Sequence, residues 1–99
     1  MEIQTLLSFF KTGGFTVTAG CQECLKAELV DKVNEVVTRN KERGETEGKI
    51  KGIEARAKSY TRLVAKTMME EARKRGLTTL DKPFLEDARK ALGPMPPLD

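Results

Sequence analysis

Apolar positions recur at steps of three and four along most of this chain, a rhythm that predicts helices rather than strands. Leu25, Leu29, Val33, Val36 and Val37 form one such stripe, with Val30 beside it. Glu28, Asp31, Lys32, Glu35 and Arg39 fill the opposite face, so a helix is expected from about Cys21 to Arg43. Arg43 and Gly44 read as a basic last turn and a terminating glycine. A longer helix is expected from about Thr46 to Arg75. Its seam runs Ile50, Ile53, Ala57, Tyr60 and Val64 and continues through Met68 and Ala72, the spacing of antiparallel helical hairpins and short coiled coils. Gly48 and Gly52 each cost up to about 1 kcal/mol against Ala, which predicts a late start or a bend.

Shorter elements flank these two. Ile3, Leu6, Leu7 and Phe10 predict one or two helical turns that end at the breaker Thr12–Gly14. Phe15–Thr18 has strand propensity over four residues, with no second strand-like run to pair with it, so a sheet within one chain is not expected. Asp81 as N-cap and Pro83 in the first turn open a last helix whose apolar face is Phe84, Leu85, Ala88 and Leu92. Gly93 and Pro94 end it. The expected fold is all-α: three main helices and a short N-terminal one in a single domain over 1–93. A proline-rich tail follows over 94–99, expected to be extended or disordered.

Size and composition narrow the function. A chain of 99 residues buries a small core, and aromatics at 5% give it few large anchors. The seam of the long helix therefore needs more cover than two neighbouring helices supply, and a homodimer through that seam is expected. The chain contains no His, which removes Ser-His and Cys-His nucleophilic schemes. The apolar start is too short to span a bilayer and lacks a basic lead. A cytoplasmic protein without membrane contact is expected.

Two groups of residues carry candidate chemistry. Cys21 and Cys24 form a CxxC step at the start of a helix, where the dipole lowers thiol pKa values. A thioredoxin-like fold needs several strands, and structural zinc needs four ligands. Unliganded thiols with no cofactor are the first expectation. A metal or iron–sulfur cluster shared across a dimer, or redox chemistry, are the alternatives. The second group is basic. Between Glu45 and Arg75 stand nine basic and five acidic residues, and Lys58, Arg62 and Lys66 form an i, i+4 ladder. A solvated face is the simple reading; a wall for an anionic ligand or nucleic acid is the sharper one. The net charge of +3 is modest for a dedicated nucleic-acid binder.

The run Tyr60–Leu92 carries a resemblance. Arg62, Leu63 and Val64 open it. Glu71, Ala72, Arg73 and Gly76 follow, then Thr78 or Thr79, then a helix with Ala88 and Arg89. This order resembles the small C-terminal domain of the light-independent protochlorophyllide reductase B subunit, which also occurs as stand-alone bacterial proteins. Family members carry a tryptophan and a Pro-Phe step before the Arg; this chain has no Trp and reads Lys58–Arg62 as KSYTR. In the large enzyme the domain helps to close over the tetrapyrrole, while catalysis depends on the whole complex. The resemblance thus implies a non-catalytic binding or accessory module, working within a larger protein complex or by self-association. A nucleic-acid-binding dimer and a thiol-redox or metal-carrying protein remain the alternatives.

Overall fold

Cys21, Leu25, Leu29, Val33 and Val37 are spaced by four residues throughout. On a straight α-helix each such step turns the stripe by about 40°, so it would leave the core within a few turns. The computed structural model, which describes residues 1–99, shows how the chain keeps these residues inward. Helix α2 (Ala19–Leu25) passes into a π-helical turn at Lys26–Val30 and then into α3 (Asp31–Glu42). The wider turn takes up the surplus rotation. The first four of these residues are fully buried, and Val37 is nearly so.

The other elements are α1 (Ile3–Thr12), β1 (Thr16–Val17), α4 (Glu47–Lys74), β2 (Thr79–Leu80) and α5 (Lys82–Leu92). The fold is mainly α. Helix α1 is longer than expected, because its apolar face continues to Phe10 and only the glycines stop it. Gly14 has φ +86°, and a Cβ on Gly13 would come within 2.8 Å of Met69 Sδ on α4. Helix α4 starts ahead of both Gly48 and Gly52, not after them. The Thr46 side chain accepts from the Lys49 N–H at 3.2 Å, and this cap sets the start. Asp81 occupies the N-cap position of α5, but its side chain makes no capping hydrogen bond.

One expectation is overturned. A second strand does exist: β1 and β2 pair in parallel, with Thr16 opposite Thr79 and Val17 opposite Leu80. The Thr16 N–H donates to Thr78 O and the Thr18 N–H to Leu80 O, both at 2.9 Å. A two-residue strand shows no periodicity in sequence. Burial of Val17 and Leu80 in the main core holds the pair together.

At about 1.5 Å per residue, the 28 residues of α4 run about 42 Å, most of the 47 Å long axis of the molecule. Its C-terminal half packs in a main core with α1, α2, β2 and α5. Its N-terminal half forms a hairpin with α3 around a second core of Val33, Val37, Ile50, Ile53, Ala57 and Leu98. The last residues form no helix or strand, yet they close this second core. Leu98 is buried, Arg56 donates to its carbonyl at 2.7 Å, and Asn40 donates to Asp99 Oδ1 at 2.6 Å. Ile50, Ile53, Ala57, Tyr60 and Val64 are all buried within the chain. The seam that suggested a homodimer is therefore intramolecular, and that ground for dimerisation falls away. No helix is long and apolar enough to cross a membrane.

Candidate functional site

A cleft of about 460 Å3 lies between α1 and α4. This lies within the roughly 300–1,000 Å3 typical of small-molecule sites. Met1, Phe9 and Ala55 supply the accessible apolar surface, with Leu6 and Val33 buried behind it, and Lys58, Thr61 and Arg62 line the α4 side. Phe9 and Phe10 are adjacent, so one helix cannot bury both on the same face. Phe10 is fully buried, and Phe9 is left 41% exposed at the cleft.

The basic ladder divides here. Lys58 and Arg62 border the cleft, whereas Lys66 lies beyond it. All three are exposed, and none forms an ion pair, although six ion pairs form elsewhere. Lys51, a third cation at the cleft, is paired with Glu47 at 3.4 Å. Glu2 and Glu54 line the same space.

Thr61 was not among the residues singled out from sequence. It is 3% exposed, and its Oγ1 has no hydrogen-bond partner. A threonine inside a helix ordinarily bonds the carbonyl four residues back. A buried hydroxyl left without a partner costs about 1–3 kcal/mol. The only sequence signal was a hydroxyl residue beside the buried seam position Tyr60.

The cysteines stand apart from this cleft. The Thr18 side chain caps α2 by accepting from the Cys21 N–H at 3.3 Å, so Cys21 does sit in the first turn of a helix, with Cys24 near the end of α2. Burial nevertheless pushes the Cys21 thiol up to about 11, and negative charge at Cys24, Asp81 and Glu28 adds to the effect. Desolvation outweighs the helix dipole here. Cys21 is fully buried and Cys24 partly so, and both are free thiols. A metal or cluster bridging two chains would need the Cys21 sulfur at a surface. No group of three or more Cys, Asp or Glu side chains gathers in position to hold a metal ion.

The π turn also has a structural partner. Glu28 accepts from Arg89 Nη1 at 3.0 Å, which fastens α5 to the bulged helix. Tyr60 and Met68 belong to the core. Compared with known proteins, the chain matches no family model, no curated protein and no solved structure.

Proposed function

We propose that this chain is a small non-catalytic binding module, and that the cleft between α1 and α4 is its binding site. One observation carries the reading. Two cations without partners, Lys58 and Arg62, stand beside apolar surface from Met1, Phe9 and Ala55 in a single concave space. That combination suits a ligand with an apolar body and a negative charge. The non-catalytic part is supported by the lack of His and by a CxxC whose first thiol is buried and held protonated at neutral pH. An accessory role of the kind implied by the reductase-like resemblance accords with this reading.

The nucleic-acid alternative draws on the same ladder. Glu2 and Glu54 stand in the cleft, however, and they would repel a run of phosphates. The test is fluorescence titration with 8-anilinonaphthalene-1-sulfonate, an aromatic body bearing one sulfonate. Saturable binding that is lost in Lys58→Glu with Arg62→Glu supports the cleft. Binding that ignores these substitutions, together with salt-dependent retention on duplex DNA, overturns the reading in favour of the nucleic-acid alternative.

A further inference from the structure

We infer that the cleft takes a small amphipathic monocarboxylate, its head held by Arg62, Lys58 and the Thr61 hydroxyl and its apolar body laid over Met1, Phe9 and Ala55. This rests on the reading of the cleft as a binding site and goes on to specify the ligand.

Three observations converge on that class. The first is charge. The side chains lining the cleft include three cations and two carboxylates, and the Met1 ammonium, bonded to Asn34, adds to a small positive balance. A single anionic head matches this balance; a polyanion would meet Glu2 and Glu54. The second is head-group chemistry. The Arg62 guanidinium presents a planar fork suited to a carboxylate, and Lys58, one helical turn away, adds a second positive charge. Neither is engaged by a carboxylate of the chain. The third is Thr61. Thr61 adjoins Arg62 and lines the same cleft, and its unpartnered hydroxyl is buried, so it reaches a ligand by turning about χ1. A carboxylate oxygen accepting from Thr61 Oγ1 would satisfy a group that the free protein leaves unsatisfied. The ligand's apolar part then covers Phe9, which the fold leaves exposed.

Calorimetric titration with decanoate and with decanol, which has the same tail and no charge, tests the inference. Decanoate is expected to bind about tenfold or more tightly than decanol, because a hydrogen-bonded charge is at stake. Shortening the chain to octanoate should cost about fourfold for each methylene removed from contact. Arg62→Gln, at an exposed position, should weaken decanoate about tenfold and leave decanol unchanged. Thr61→Val keeps the shape and deletes the hydroxyl. It should weaken decanoate about fivefold while leaving the protein as stable or more stable, a split that a merely structural residue would not give. Equal binding of decanoate and decanol, or binding indifferent to both substitutions, overturns the carboxylate class and leaves an apolar cleft. A preference for decyl phosphate over decanoate overturns it in favour of a dianionic head. Failure of decanoate, decanol and the aromatic sulfonate alike overturns the reading of the cleft itself.

Discussion

The Tyr60 hydroxyl donates a 2.6 Å hydrogen bond to the carbonyl oxygen of Gly93, which ties the middle of α4 to the end of α5. The only tyrosine of the chain is thus a core residue with a satisfied polar tip. Tyr60→Phe keeps the ring and removes the bond. It should lower stability by about 1 kcal/mol, read from the urea midpoint. Tyr60→Ala should cost about 3–5 kcal/mol. A phenylalanine variant as unstable as the alanine one would contradict this division of roles.

The C-terminal residues are a structural strap. Leu98 completes the second core, so Leu98→Ala should cost about 2 kcal/mol, the low end for a buried leucine because the tail can adjust. The Asn40 hydrogen bond holds the Asp99 carboxyl below its usual 3.8, with help from the positive charges of Arg39, Arg43 and Lys49. A carboxyl depressed in the folded state stabilises above its unfolded value and loses that contribution as pH falls through the folded one. The Leu98 methyl resonances should therefore keep their core-packed shifts at neutral pH and move towards random-coil positions as pH falls below 3.8. Asn40→Ala should move that change to higher pH. Leu98 methyls at random-coil positions at neutral pH would contradict the strap.

The two thiols should react at very different rates. Cys24 is partly exposed, whereas Cys21 is fully buried with its thiol at about 11. Iodoacetamide at pH 8 should modify Cys24 first and Cys21 only through opening of the fold. The linkage has a definite sign. A thiol raised from 9.0 to about 11 leaves stability unaffected below 9.0, and stability falls as pH rises from 9.0 towards 11. Cys21→Ala should flatten this alkaline decline. Equal alkylation rates in the native protein would overturn the assignment.

Ile53 is fully buried in the α3–α4 hairpin. Ile53→Val should cost about 0.5–1.5 kcal/mol. Ile53→Glu buries an unpaired charge and should unfold at least the hairpin. Sedimentation should show no change of oligomeric state in the valine variant at any concentration. A folded, monomeric Ile53→Glu protein derived from a dimeric parent would restore the seam to an interface between chains.

Helices were legible where the apolar rhythm was long. The starts and ends of α4 and α5 fell within a residue or two because Thr46, Pro83 and Gly93 mark them chemically. The strand pair was not legible, since Thr79–Leu80 is too short to have a period and its partner lies more than sixty residues earlier. Nor was the role of the tail. Among prolines, one leucine carries no pattern, and its burial depends on where α5 releases the chain. The seam argument for a dimer fell away for that reason: the missing cover was Leu98 together with α3. At the cleft, Lys58 and Arg62 were visible as a ladder. Thr61 was not, because an absent hydrogen bond is a property of packing, and Phe9 was hidden behind the more regular position of Phe10.

The most direct test of the cleft is an amide-resolved nuclear magnetic resonance titration of the intact chain with decanoate. Saturable shifts should concentrate on Thr5–Phe9 of α1 and Glu54–Arg62 of α4, with the Thr61 amide among the most affected. Shifts centred on Cys24 or on α5, or none at saturating decanoate, would contradict the cleft as the binding site.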